Sequence, residues 1–126
     1  MSFDWTEFYH FACGLAGHTV QPPSDETKSR IAISRAYYAA FCTARNFLRD
    51  ADNINISSTD SHRVVRETFK GSADKNRVRI GNQLNELMQY RQHADYDESL
   101  RVGSWLLERD QSLKLAHRIL EGLSLL

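Results

Sequence analysis

Apolar residues recur at intervals of three and four along most of the chain, which is the period of an amphipathic α-helix. The pattern predicts five helices, from about 4 to 15, from 24 or 25 to 50, from 61 to 70, from 74 to 96 and from 104 to 123. No segment alternates apolar and polar residues for long enough to predict a β-strand. The expected fold is therefore an all-α, up-and-down bundle of four to five helices, in a single domain over residues 1–126.

Short polar residues and glycines indicate where these helices begin and end. Asp4 is followed by Glu7 at the spacing of a capping box, in which two side chains satisfy N–H groups of the first turn. Ser24 and Asp74 are predicted to cap the second and fourth helices. Gly71 is predicted to end the third helix, since glycine is common just past a helix end.

The apolar stripes predict which side of each helix faces the core. The expected stripe of the first helix is Trp5, Phe8, Ala12 and Leu15, and that of the last is Leu106, Leu113, Ala116, Leu120 and Leu123. His117 falls on the last stripe and is predicted to be a core histidine. In the second helix, Ala40 and Ala44 are small enough for a neighbouring helix to approach closely.

The fourth helix carries an arginine within its apolar stripe. Arg91 follows Ile80, Leu84 and Leu87 at helical spacing, so it lies on the same side of the helix. A buried charge without a partner costs several kcal/mol, so Arg91 needs a carboxylate, an anionic ligand or a partner chain. Asp95 and Asp97 are the nearest acids; the alternative is an arginine that reaches past the core or closes a structural ion pair.

Charge adds a second candidate surface, although the 16 basic and 16 acidic residues leave no net charge. The segment 28–49 has five basic residues and no acidic one. Arg35, Tyr38, Arg45 and Arg49 share one side of the second helix, where guanidinium groups can bind phosphate and the ring can stack on a base. The alternative is a solvated basic surface whose tyrosine packs on a neighbouring helix.

Several classes of protein are not indicated. No apolar run approaches the ~18 residues of a membrane span, and the N-terminus does not resemble a signal peptide, so no membrane association is predicted. Cys13 and Cys42 are predicted to be reduced core residues of a cytoplasmic protein. Glycine-rich phosphate loops and Cys-x-x-Cys or His-Glu-x-x-His patterns are missing, so no metal and no cofactor is predicted.

The remaining candidate chemistry is a cluster at the end of the fourth helix, namely Arg91, His93, Asp95 and Tyr96. Metal-free RNA cleavage needs a base for the 2′-hydroxyl proton and cationic donors for the phosphate. In that mechanism His93 is the base, Arg91 holds the phosphate and Tyr96 is a donor.

Two motifs in this order resemble the HEPN domains (higher eukaryotes and prokaryotes nucleotide-binding). They are Ser34-Arg35-Ala36-Tyr37-Tyr38-Ala39-Ala40-Phe41 and Arg91-x-x-Ala94-Asp95-Tyr96-Asp97, with His62 opening a short helix between them. The resemblance covers residues from about 28 to the C-terminus. It implies a helical bundle that forms a homodimer with a shared cleft.

The same resemblance implies a role in RNA or nucleotide binding, in RNA cleavage, or as the partner of a small nucleotidyltransferase or an antitoxin. The ribonuclease members carry an arginine followed by four to six residues and then a histidine, whereas His93 follows Arg91 after one residue. The sequence therefore favours a non-catalytic protein of a defence or toxin–antitoxin system, with an anionic-ligand site at 91–96 and on the basic side of the second helix. The alternative is a metal-independent ribonuclease that uses Arg91 and His93.

Overall fold

The prediction of an all-α fold is confirmed. A computed structural model describes residues 2–100 and 103–126, and in this part of the chain the regular elements are five helices without a strand. They are α1 (Thr6–Leu15), α2 (Asp25–Asp52), α3 (Ser61–Lys70), α4 (Lys75–Tyr96) and α5 (Trp105–Ser124). Across the same residues, no helix combines the length and apolar character that a bilayer crossing requires.

Three helices begin at a side-chain cap. Ser24, Asp74 and Ser104 each accept a hydrogen bond from a backbone N–H of the first turn of α2, α4 and α5. Such a cap contributes about 1 kcal/mol, because it satisfies a donor that the helix itself leaves free. At the other end of α2, Asn53 takes a left-handed conformation with φ 57° and lets the chain turn away.

The core lies where α2 packs against α4 and α5, with α3 closing one side. Its members are buried apolar side chains from these four helices: Tyr37, Ala40, Phe41, Ala44 and Leu48; Val65 and Phe69; Ile80, Leu84 and Leu87; and Leu115, Ala116, Ile119 and Leu123. The predicted close approach at Ala40 and Ala44 is consistent with their complete burial. At Gly81 α4 approaches the end of α3 so closely that a Cβ atom would lie 2.6 Å from Lys70 Cγ.

The first helix differs from its prediction. None of its residues is buried, and Leu15 is 77% exposed, so the expected stripe does not enter the core. The capping box is also absent: Asp4 accepts hydrogen bonds from Thr6, whereas Glu7 accepts from the Ser24 N–H and the Thr27 hydroxyl. The capping box does not form because the Glu7 side chain binds polar groups at the start of α2. These hydrogen bonds attach α1 to the bundle as a peripheral helix.

The last helix confirms its prediction in part, since Ala116 and Leu123 are buried as expected. Its buried residues are Ser112, Leu115, Ala116, Ile119 and Leu123, whereas Leu106 and Leu113 are about half exposed. His117 is exposed and lies 3.3 Å from Glu121, so it is not a core histidine. Leucines occur on more than one side of α5, so their period alone does not determine which side packs on α2.

A fully buried arginine positions the C-terminal end of α4. The Arg30 guanidinium donates to the carbonyl oxygens of Ala94, Asp97 and Glu98 at 3.1, 2.7 and 3.1 Å, and it pairs with Glu26 one turn earlier at 3.1 Å. It lies 4.1 Å from the ring centroids of both Phe3 and Trp105. These bonds satisfy carbonyls that a helix end leaves free, and they position the turn that carries Asp95 and Tyr96.

Candidate functional site

Arg91 lies on α4 where that helix faces α2, and its side chain is 16% exposed. Its Nη2 donates to the Tyr38 hydroxyl at 2.6 Å, and its Nε lies 2.9 Å from Asp95 Oδ2. The prediction that Arg91 lies beside a carboxylate is confirmed. The two residues are four positions apart on one helix, a spacing that brings side chains together.

The pairing of Arg91 with Asp95 leaves hydrogen-bonding capacity unused. The buried Nε is close to the carboxylate but its N–H is not directed at the oxygen, so the contact is an ion pair without a well-formed hydrogen bond. Burial acts to lower the pKa of Arg91, but Tyr38, Asp95 and Tyr96 outweigh burial and raise that pKa above its usual value. Arg91 therefore remains a charged donor.

A hydroxyl joins Asp95 to a second arginine. Ser34 donates from Oγ to Asp95 Oδ2 at 3.3 Å, and it accepts from Arg35 Nη2 at 3.2 Å. Among the described residues Arg35 makes no ion pair, and it is exposed. Asp95 thus pairs with Arg91 and is linked to Arg35 only through Ser34, so one carboxylate accompanies two guanidinium groups and the local charge is positive.

Tyr38 is close to both of these arginines. The Arg35 and Arg91 guanidinium carbons lie 4.8 and 5.3 Å from its ring centroid. The Arg91 carbon also lies 5.6 Å from the ring of Tyr96, which is 68% exposed. Two cations and two aromatic rings are thus grouped on one surface.

These residues form one side of an open cavity of about 650 Å³. Its polar side consists of Ser34, Arg35, Tyr38, Arg91, Asp95 and Tyr96, and its apolar side consists of Phe8, Phe11, Ala12, Leu15 and Ile31. A volume of this size is within the range of small-molecule sites, which combine apolar walls with a few placed polar groups.

His93, the candidate base, is not a described lining residue of this cavity. Arg91 and His93 are two positions apart, which is roughly 200° around a helix, so their side chains point in different directions. His93 lies 3.6 Å from Glu108 and 3.9 Å from Asp97, and it lines a neighbouring cleft that shares Tyr96 with the cavity at Arg91. None of the described cavities is lined by both Arg91 and His93.

The basic side of α2 is divided between two places. Arg35 and Tyr38 belong to the cavity, whereas Arg45 and Arg49 line a cleft of about 380 Å³ beside the loop 54–58. Arg49 is exposed and pairs with Asp50 at 2.8 Å, and Arg45 donates to the Asn46 side chain. Asp50 neutralises the charge of Arg49, whereas no described carboxylate pairs with Arg45.

Sequence reasoning missed the apolar wall and the bridging hydroxyl. The apolar period places Phe8 on the expected core stripe and gives no role to Phe11, although a short first helix before Pro22 and Pro23 is a signal for a peripheral element. Ser34 precedes Arg35 on the side of α2 that meets α4, a position from which a hydroxyl can reach a carboxylate on the facing helix.

Neither a metal-ligand cluster in the described residues nor a similar known protein identifies the chemistry of the site. Within residues 2–100 and 103–126, no three His, Cys, Asp or Glu side chains converge as metal ligands would. Searches against models of protein families, against curated proteins and against solved structures find no match to this chain. The chemistry of the site is therefore inferred from its own geometry.

Proposed function

We propose that this protein binds an anionic ligand that carries a planar ring, a nucleotide or a segment of RNA, in the cavity at Arg91. The observation that carries the proposal is that the guanidinium carbons of both Arg35 and Arg91 lie close to the Tyr38 ring, at 4.8 and 5.3 Å from its centroid. The cavity combines the two kinds of recognition that a nucleotide requires, one for phosphate and one for the base.

Charge supports the anionic half of the proposal. Guanidinium groups bind phosphate through paired, charge-assisted hydrogen bonds. Arg35 has no described carboxylate partner, and the ion pair of Arg91 with Asp95 is not a directed hydrogen bond. A phosphate at the polar side would therefore gain donors without displacing a complete set of bonds.

The apolar side of the cavity supports the binding of a planar ring. Phe8, Phe11 and Ile31 line the cavity together with the arginines, and α1 buries none of its own residues in the core. A base that enters beside these rings removes apolar surface from water, and stacking of a base on an aromatic ring contributes about 1–3 kcal/mol.

The position of His93 supports binding without cleavage. None of the described lining residues of the cavity is a histidine, and His93 lines another cleft. The carboxylate in the cavity, Asp95, is occupied by Ser34 and Arg91. We therefore do not assign RNA cleavage to the Arg91 and His93 pair.

The HEPN resemblance extends the proposal to the assembly. We propose a cytoplasmic homodimer that works with a small nucleotidyltransferase or an antitoxin in a defence or toxin–antitoxin system. The exposed apolar residues of α1, Tyr9 at 68% and Leu15 at 77%, suit a partner chain, and both cysteines are free. Light scattering at micromolar concentration should give the mass of a dimer, and a clean monomer would contradict this extension.

Isothermal titration calorimetry with adenosine monophosphate tests the binding proposal. The native protein should bind it, and Arg35→Ala should weaken binding roughly ten- to a hundredfold, because one charge-assisted hydrogen bond contributes about 1.5–3 kcal/mol. The matched control is Arg63→Ala, an exposed arginine that pairs with Asp60 and Glu67 on α3. Equal affinities for the two variants would overturn the proposal.

A further inference from the structure

A second group of polar side chains lies beside the cavity, on α3. His62 and Arg66 are four residues apart and so share one side of that helix. The His62 ring lies 6.0 Å from the Tyr38 ring and stacks on Phe41 at 4.1 Å. Tyr38 therefore lines the cavity and also lies close to this part of α3.

Arg66 is half-buried and lacks an anionic partner. Its described hydrogen bond goes from Nη1 to the Met88 sulfur at 2.9 Å, and a thioether is a weak acceptor. The carboxylates of Asp60 and Glu67 are both paired with Arg63 instead. Most donors of the Arg66 guanidinium are consequently free for a ligand.

His62 is held by a hydrogen bond to Tyr37. Tyr37 is fully buried, and burial raises its pKa to about 12, so the phenol stays protonated. Its oxygen lies 2.6 Å from His62 Nδ1, and which of the two groups donates depends on the tautomer of the imidazole. Burial, with the charges of Arg91 and Arg66, lowers the pKa of His62. In the tautomer in which the phenol donates, the ring proton is on Nε2, which makes no hydrogen bond to a described residue.

Arg45 extends the same surface toward the start of α3. Its guanidinium carbon lies 5.9 Å from the ring of Phe41, on which His62 stacks. Arg35 and Arg45 are separated along α2 by roughly 15 Å, given the rise of an α-helix. The row from Arg35 past Tyr38 and His62 to Arg45 is therefore longer than one nucleotide.

We infer that His62 and Arg66 form a second phosphate site, which takes the phosphodiester next to a nucleotide bound in the cavity. Arg66 supplies the charge, and His62 Nε2 supplies a neutral donor held in place by Tyr37. The inference rests on the proposed function, and it identifies the ligand as a short single-stranded oligonucleotide, because the rings of Tyr38 and His62 occur together with arginines along the row.

The test compares two ligands and three variants by fluorescence anisotropy and calorimetry. The ligands are adenosine monophosphate and a single-stranded tetra-adenylate RNA, and the variants are Arg66→Gln, Arg35→Ala and the control Arg63→Gln from the same helix. Arg66→Gln should lower the affinity for the tetranucleotide about tenfold and leave the affinity for the mononucleotide unchanged. The salt dependence of tetranucleotide binding should also fall by about one phosphate contact.

The outcomes separate the two proposals. Equal tetranucleotide affinities for Arg66→Gln and Arg63→Gln overturn the second site, even when Arg35→Ala weakens the mononucleotide. Tetranucleotide binding that depends on Arg66 but is unchanged by Arg35→Ala supports the second site and overturns the cavity proposal. Absence of binding by both ligands overturns both. Arg66→Lys, which keeps the charge, should recover part of the tetranucleotide affinity.

Discussion

Two arginines near the end of α4 show how differently one side chain can be used. Arg30 is fully buried, and its guanidinium has a described partner at each nitrogen: Glu26 and the carbonyls of Ala94, Asp97 and Glu98. Arg91 makes one directed hydrogen bond, to Tyr38, and one ion pair, with Asp95, at the edge of an open cavity. Both are charged and both contact aromatic rings.

The difference separates a structural arginine from a ligand-binding one. A buried guanidinium whose donors are all satisfied gains nothing from a ligand, and removing it leaves other polar groups without partners. A guanidinium with free donors at a cavity can exchange water for a phosphate. Burial by itself does not distinguish the two roles, whereas the number of donors without a partner does.

The largest expected effect is the loss of Arg30. Arg30→Ala leaves the Glu26 carboxylate and three carbonyl oxygens without their donor, so it should lower the free energy of unfolding by about 3–5 kcal/mol. Urea denaturation followed by circular dichroism measures this change. Arg63→Ala, which removes an exposed ion pair, should stay within about 1 kcal/mol of the native protein. Similar losses of unfolding free energy for the two variants would contradict the structural role of Arg30.

Loss of Arg91 should have a smaller effect on stability and a large one on binding. Arg91→Ala should lower the free energy of unfolding by about 1–2 kcal/mol, because it breaks one hydrogen bond and one partly solvated ion pair. The same variant should lower the affinity for adenosine monophosphate by at least tenfold, as measured by calorimetry. A stability loss equal to that of Arg30→Ala, with unchanged binding, would make Arg91 a second structural arginine.

The electrostatic effect of Arg91 should be measurable at His62. Burial and the charges of Arg91 and Arg66 lower the pKa of His62, so Arg91→Gln should raise that pKa toward its usual value of about 6.5 in an NMR titration. Arg109→Gln is the control, since Arg109 pairs with Asp110 on α5. An unchanged His62 pKa in Arg91→Gln would mean that the two side chains do not interact.

The lowered pKa also predicts the direction of a pH effect on stability. As the pH falls below about 6.5, unfolded His62 takes up a proton before the folded residue does, so the native state loses stability. The loss ends once the pH is below the lower, folded pKa, where both states are protonated. His62→Gln should lack this step in denaturation curves recorded between pH 7 and 5, and an identical step in both proteins would exclude His62 as its source.

The smallest expected effect is that of His93. His93 is about half exposed and lies outside the cavity, so His93→Ala should change the free energy of unfolding by less than about 0.5 kcal/mol and leave nucleotide affinity unchanged. A tenfold loss of affinity, measured by calorimetry, would instead bring His93 into the site.

Local signals in the sequence account for much of the fold. The third helix runs over the predicted residues at both ends, and Ser24 and Asp74 are the caps of α2 and α4. The pair of Arg91 with Asp95 was also predictable, because four-residue spacing on one helix is enough to bring the charges together. These features depend on interactions within a few residues.

The features that were missed depend on contacts between distant segments. The i, i+4 pair of Glu26 and Arg30 is visible in the sequence, but the carbonyls at the end of α4 and the rings of Phe3 and Trp105 are not. Similarly, the apolar period of α1 does not reveal that its phenylalanines line a cavity. Such positions are set by how helices pack together, which a helical period does not specify.

The most direct measurement of the central claim is an NMR titration that follows the arginine Nε–H signals while adenosine monophosphate is added. The signals of Arg91 and Arg35 should shift as the ligand binds, and the signal of Arg30 should stay in place because its donors are already occupied. Shifts at Arg30 with none at Arg91 and Arg35, or no specific shift at all, would contradict the assignment of the cavity as a ligand site.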